Sequence, residues 1–260
     1  MKIASWNVNS LKVRLPQVLD WINLNQPDVL CLQETKQNND NFPHDVFEKR
    51  GLFSYHNGQN TYNGVAIISN KELIDVQFDI PNFYDEQKRL ISGIYPYDED
   101  PKFRVISAYI PNGQSLNSDK FEYKMNWLKS FINFLQMKID GIENIITGDF
   151  NIAPSTLDCY DSKSWDGKIL VSPQEREYFD KLLNLGFIDT YREMNPNENE
   201  FSWWDYRIPF KRNLGMRIDH ILLSKTLLPF LKKAYIDKAT RTLERPSDHV
   251  PVVTELSLNP

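Results

Sequence analysis

At five places in this chain, apolar β-favouring residues adjoin an Asn, Asp, Glu, Tyr or His. These are Trp6-Asn7-Val8-Asn9, Leu32-Gln33-Glu34-Thr35, Tyr109-Ile110-Pro111-Asn112-Gly113, Gly148-Asp149-Phe150-Asn151 and Ser247-Asp248-His249. A buried strand that ends on a polar side chain puts that side chain at the rim of a sheet, where several strands can face one cleft. Any one segment alone is what an N-cap or a turn supplies, because Asp and Asn bond readily to nearby backbone. Together they assemble hard oxygen donors, a histidine and a tyrosine, which requires a fold whose strand ends converge.

The remaining pattern agrees. Ile3 to Val8 reads as a strand, and Leu11, Leu15, Val18, Leu19 and Ile22 recur at helical spacing behind Ser10 as a cap. Pro27-Asp28 stops that helix, and Val29 to Leu32 is a short buried strand. Further strands are expected over Gly64 to Ser69, Leu90 to Tyr95, Arg104 to Tyr109, Asn144 to Thr147, Ile218 to Leu223 and Val250 to Leu256. Helices are expected over Lys120 to Met137 and Gln174 to Leu185, ended by Gly141 and Gly186 respectively. There is no internal repeat, low-complexity tract or Gly/Ser linker, so residues 1–260 are expected to form a single α/β domain, with sheets packed together and helices outside.

A composition of 41% hydrophobic and 25% charged residues is enough for a sizeable core. No run of about 18 apolar residues exists, so neither a signal peptide nor a membrane span is expected, and a cytoplasmic location is. Cys31 and Cys159 stand far apart without CxxC spacing, which argues against structural zinc and a disulfide framework and makes both core thiols. The net charge of −5 does not announce a nucleic-acid partner. Clustered acids holding a metal would lower that total while local Lys and Arg still line a groove.

Oxygen-rich clusters suit Mg²⁺ or Mn²⁺, and those cations commonly serve phosphoryl chemistry. Phosphodiesters resist attack because their charge repels nucleophiles and the alkoxide leaves poorly. General acid–base help contributes typically ~10²–10⁴-fold, against enzymatic accelerations reaching roughly 10¹⁷-fold, so metal and positioned donors must supply most of the rest.

In order along the chain, WNVNS, LQET, YIPNG, GDFN, RIDHILLS and SDHVPV resemble the exonuclease III branch of the endonuclease/exonuclease/phosphatase superfamily. YNGVAIIS, FSWWDYR and ITGDFNIAP fit that branch better than its lipid-phosphatase or DNase I relatives. The resemblance implies a four-layer α/β sandwich, two mixed sheets face to face and flanked by helices, with the active site at one edge. It implies a Mg²⁺ enzyme, with Mn²⁺ able to substitute, in which Glu34 is the principal metal ligand and Asn7, Asn9 and Asp248 lie close by. The family often carries Asp where this chain has Asn9. Asp149 would align or deprotonate the attacking water, Asn151 would hold that water or the phosphate, and both would lie within reach of the metal. His249 would contact the scissile phosphate, and the cation beside it, with Asp219 orienting the ring. Tyr109 would face the same phosphate or the leaving oxygen. His220 follows Asp219 in a strand and should face away from it, and His44 and His56 are expected at the surface.

Trp203, Trp204, Tyr206, Arg207, Phe210, Lys211, Arg212, Met216 and Arg217 interleave aromatics with cations, a composition that stacks on bases and meets phosphates. One ring of the Trp pair should point inward, and Trp204 is the expected core residue. By the family pattern Trp203 and Met216 would line a pocket for a flipped abasic sugar or a 3′-terminal nucleotide, with Arg207 on the DNA-binding face. Asn112 and Gly113 would form a loop on the DNA backbone, and Lys120 and Lys124 either extend it or line a solvated helix face. The expected partner is double-stranded DNA with abasic sites, nicks or blocked 3′ ends, acted on by a monomer. Two alternatives stand beside this reading: a related metallophosphoesterase acting on a non-DNA ester, and a non-catalytic DNA-binding protein. The second requires losses among Asn7, Glu34, Tyr109, Asp149, Asn151, Asp219 and His249, and all are present.

Overall fold

A computed structural model of the protein describes residues 1–96, 102–137 and 141–258. In chain order the first half comprises β1 (Lys2–Asn7), α1 (Leu11–Asn25), β2 (Val29–Gln33), α2 (His44–Glu48), β3 (Phe53–Asn57), β4 (Val65–Ser69), β5 (Ile74–Phe78), β6 (Leu90–Tyr95) and β7 (Lys102–Tyr109). There follow α3 (Asp119–Gln136), β8 (Ile142–Asp149), α4 (Ser162–Trp165), α5 (Pro173–Asn184), β9 (Phe187–Asp189) and α6 (Thr190–Met194). The chain closes with β10 (Trp203–Trp204), β11 (Gly215–Met216), β12 (Asp219–Ser224), β13 (Leu231–Ile236) and β14 (Val252–Leu256).

Two mixed six-stranded sheets result, in the orders β13-β14-β1-β2-β4-β3 and β5-β6-β7-β8-β12-β9. At their centres β1 runs parallel to β2 and β7 parallel to β8. Between the sheets lie Ile3, Val29, Cys31, Ile67, Val105, Ile145, Ile221 and Val252. The outer face of the first sheet, with Ala4, Trp6, Leu30 and Leu32, packs on Leu11, Val18, Trp21 and Ile22 of α1. The outer face of the second, with Ile106, Ile146 and Leu222, packs on Trp127, Leu128 and Phe131 of α3 and Phe179 and Leu182 of α5. This is the expected four-layer α/β sandwich. No helix among the described residues is long and apolar enough to cross a membrane.

Side chains two apart on a strand share a face, so the inter-sheet layer can be read along each central strand. On β1 it runs Ile3, Ser5, Asn7; on β2, Val29, Cys31, Gln33; on β7, Val105, Ser107, Tyr109; on β8, Ile145, Thr147, Asp149. β12 is antiparallel to β8, so its polar residue, Asp219, comes first and lies opposite Asp149. Every central strand therefore passes from apolar to polar toward the same edge of the sandwich. Gln33 spans the gap between the sheets, bonding Ser5 Oγ at 3.1 Å and Ser107 Oγ at 3.1 Å. Because an unpaired buried polar group costs about 1–3 kcal/mol, this rung lets the layer turn polar while its members stay satisfied.

Several local expectations change. Ser10 precedes α1, but its side chain makes no capping bond; the backbone there has φ 95°. His56 is buried rather than at the surface, because Phe42 stacks on its ring with centroids 4.1 Å apart and Thr35 Oγ1 bonds its Nε2 at 2.8 Å. β3, β5, β9 and β13 carry no apolar run, and all four lie at sheet edges, where half-solvated strands read as loop.

Burial lowers the His56 pKa from its ordinary 6.5 to about 3, so the unfolded chain takes up the proton first. The stability His56 contributes as a neutral ring is therefore complete above pH 6.5 and is lost as pH falls toward 3. Urea midpoints across this window should decline by up to about 1.4 kcal/mol per pH unit on account of His56. His56→Gln should flatten that decline, and an unchanged slope would refute it.

Candidate active site

Asn7 ends β1 with its side chain between two carboxylates. Its Nδ2 donates to Glu34 Oε1 at 3.0 Å and to Asp149 Oδ2 at 2.9 Å, while its Oδ1 accepts the Asn9 amide at 3.0 Å. Glu34 leaves β2 in a left-handed conformation, φ 51°, and accepts the Tyr109 hydroxyl at 2.8 Å. Its other oxygen meets Lys36 Nζ at 2.9 Å. Burial raises the Glu34 pKa, but Lys36 and the Asn7 bond outweigh it and hold the carboxyl below its ordinary range. Tyr109 moves well upward, through burial and the neighbouring charge of Glu34. Arg89 lies over the Tyr109 ring at 4.7 Å and donates to its carbonyl at 3.1 Å, fixing the phenol.

His249 is buried beside β12. Its Nδ1 lies 2.8 and 3.1 Å from the two oxygens of Asp219, which also accepts the Ser202 hydroxyl at 2.6 Å. A proton on Nδ1 donated to Asp219 leaves Nε2 facing Asp149 Oδ2 at 3.7 Å, beyond hydrogen-bond distance. Burial opposes a charged imidazole, but Asp219 and Asp149 outweigh it and raise the pKa. The Asp149 pKa also rises: burial lifts it, His249 opposes, and Asp219 adds to the lift.

Glu34, Asp149 and His249 offer ligand atoms that all lie within 4.8 Å of one another. Two carboxylates and one imidazole, with amide and phenol groups around them, fit a hard divalent cation. The other expected ligands lie around this group with their polar atoms bonded to protein. The Asn7 oxygen is taken by the Asn9 amide, so Asn7 bridges the carboxylates. Asn9 Nδ2 donates to Asp248 Oδ1 at 2.9 Å, and its Oδ1 accepts Lys36 Nζ at 2.5 Å. Asp248 accepts the Trp203 indole at 3.1 Å. Asn151, φ 49°, donates its backbone amide to Asp149 Oδ1 at 2.9 Å; its side chain bonds the Ile110 carbonyl at 3.0 Å and Asn112 Nδ2 at 2.9 Å.

Among the DNA-binding candidates, Trp203 is half-buried beside His249, ring centroids 6.5 Å apart, and Trp204 is core as expected. Met216, expected to line a pocket, has no exposed surface: it pairs with Trp203 across β10 and β11 and packs on Ala153, Cys159 and Val171. Arg207 is exposed and ion-paired to Asp205 within its own turn. Asn112, Gly113 and Lys120 line a cleft of about 780 Å³ that reaches Tyr109 and Arg89. Lys124, expected on a surface, is fully buried against Glu175. His220 faces away from the site, with Nε2 2.9 Å from the Ile152 carbonyl. Sequence reasoning missed Lys36, Arg89 and Ser202; of these only Lys36 carried a signal, as the cation directly after the LQET segment.

The four-layer fold, with two carboxylates and a carboxylate-backed imidazole gathered at one edge, has the parts that hydrolysis of a phosphate ester calls for. The chain belongs to the endonuclease/exonuclease/phosphatase family, whose pattern matches residues 4–249. Exodeoxyribonuclease III of Haemophilus influenzae is 36% identical over 98% of this chain and 99% of its own. The Neisseria 3′ phosphatase NExo, solved with a product DNA hairpin, is 44% identical, with a TM-score of 0.94 and 99% of each chain covered. An AP endonuclease from Archaeoglobus fulgidus is 34% identical, with a TM-score of 0.93 over 99% of this chain and 100% of that one.

The placement of Asp149 depends on Gly148. At φ 148° a Cβ there would lie 1.8 Å from the Ala108 carbonyl oxygen, on the neighbouring strand β7. Gly148→Ala should therefore lower stability by roughly 2–4 kcal/mol in urea unfolding. A loss under about 0.5 kcal/mol would show that β7 and β8 do not meet this closely.

Proposed function

We propose that this chain is a divalent-metal-dependent DNA-repair nuclease that hydrolyses phosphodiester bonds of duplex DNA. Abasic sites, nicks and blocked 3′ ends are its substrates, and it acts as a monomer. The observation that carries the reading is the convergence of Glu34, Asp149 and the Asp219-backed His249 on one point at the sandwich edge. The half-buried Trp203 beside His249 and the cleft past Asn112 and Gly113 give DNA an aromatic wall and a polar one. The names of the relatives, an exodeoxyribonuclease, a 3′ phosphatase and an AP endonuclease, support DNA over other phosphate esters.

A Mg²⁺ ion, or Mn²⁺ in its place, held by Glu34 with Asp149 and His249 at hand, would neutralise charge on the phosphate. The protein's own groups do the rest. Asp149, a stronger base than an exposed aspartate because burial raises it, takes the proton of the attacking water. His249, held by Asp219, presents Nε2 to a phosphoryl oxygen and stabilises developing negative charge. Tyr109 and Asn7 orient the Glu34 carboxylate, and Asn151 keeps the Asp149 carboxylate aimed.

Cleavage of an internal abasic duplex, a 3′-phosphate nick and an undamaged 3′ end should be compared with Mg²⁺, Mn²⁺ and EDTA. Either cation should support cleavage, and EDTA should abolish it. Asp149→Asn and His249→Ala should each lower turnover about 10²-fold or more while the fold persists by circular dichroism. Glu34→Ala should weaken both activity and response to added cation. Full activity in EDTA would refute the metal role, and inactivity on all three DNAs would refute the repair assignment.

A further inference from the structure

We infer that the buried Lys124–Glu175 ion pair is a positioning device, which locks the Asn112 loop to the Asn151 loop and so aligns the cleft with the Asp149 carboxylate. Both side chains are fully buried, in the helical layer behind the site. Lys124 Nζ donates to the Asn151 carbonyl at 2.8 Å and to the Asn112 carbonyl at 3.3 Å, and its third contact is Glu175. The aliphatic stem of Lys124 fits under Gly113, where an added Cβ would stand 3.1 Å from its Cδ. One ammonium thus holds the backbone of both loops from behind, at the level where their side chains meet through Asn112 Nδ2 and Asn151 Oδ1. The Asn151 amide in turn bonds the Asp149 carboxylate, so the chain of contacts runs from α3 to the base without a gap.

Glu175 is fixed independently of the lysine. As the third residue of α5 it accepts the Ser172 amide at 3.0 Å, the Ser172 hydroxyl at 2.7 Å and the Leu170 amide at 3.1 Å. It is therefore a rigid counter-charge rather than a mobile one. Net stability does not account for such a pair, since apolar residues of similar volume commonly serve a core as well or better. What apolar residues cannot do is donate to two loop carbonyls at once.

The inference rests on the nuclease reading, so the unsubstituted enzyme is the control: if it cleaves no DNA, the reading fails and the inference has its second readout below. The test uses the double variant Lys124→Met, Glu175→Gln, which removes both charges, nearly keeps volume and leaves one oxygen to accept both Ser172 capping bonds. It should fold, bind DNA with KM within about threefold, and lose kcat on the order of 10²-fold, the effect of misplacing groups by an ångström. In protein without added cation, the side-chain amide NMR signals of Asn112 and Asn151 should shift or split. Lys124→Arg, which keeps the donor, should recover part of kcat. Unchanged amide signals, or kcat within about threefold of the unsubstituted enzyme, would overturn the inference, as would a double variant that does not fold.

Discussion

Between the two sheets of this protein, five strands change from apolar to polar side chains in the same direction, and the site exists because that change is synchronous. Asn7 is where the two sheets meet in this polar end, bonding Glu34 from its own sheet and Asp149 from the facing one. A buried carboxylate without donors would take up a proton or open the sandwich to water. The amide of Asn7, the phenol of Tyr109 and the ammonium of Lys36 meet that need for Glu34, while the amides of Asn7 and Asn151 meet it for Asp149.

The same arrangement sets the electrostatics. Glu34 is held ionised by a cation at the rim, whereas Asp149 sits deeper, near Asp219, and is pushed toward the protonated form. Two carboxylates bridged by one amide thus differ in basicity, which suits one to holding a cation and the other to handling a proton. His249 lies between two aspartates, one orienting Nδ1 and one near Nε2, so its position and its charge have separate causes. A second charged layer lies behind β12: Arg217 binds Asp158 and Asp189 and touches His220, anchoring the strand that carries Asp219.

Much of this was legible in sequence, because period-two alternation dictates which residues share a face, and the polar ends of β1, β2, β7 and β8 stand directly after apolar runs. Glu34, Asp149 and His249 stand in those polar segments, Asp219 was assigned only through the RIDHILLS resemblance, and the four do lie together. What the sequence concealed depends on three-dimensional counting. Lys124 looks like any helical lysine until Glu175, 51 positions away, is seen to bury with it. Met216 follows a basic, aromatic segment, yet a two-residue strand pairing turns it inward under Trp203. Asn9 and Asp248, expected near a cation, bond each other at the rim, a pairing of amide with carboxylate that their sequence separation hides. His56 was assigned to the surface for lack of a motif, but Phe42 closes over it from the turn before α2.

The two ends of the site come from opposite ends of the chain. β1 pairs with β14, the Trp6 indole donates to the His249 carbonyl at 3.2 Å, and the Ser247 hydroxyl donates to the Asn7 carbonyl at 2.7 Å. A ribosome adding residues in order therefore exposes Asn7 and Glu34 long before Asp248 and His249 exist to close over them. Such sequence-distant pairing is slow to form, and until it forms the carboxylates have no imidazole opposite them. In order of synthesis the two carboxylates therefore precede the histidine that comes to lie beside them.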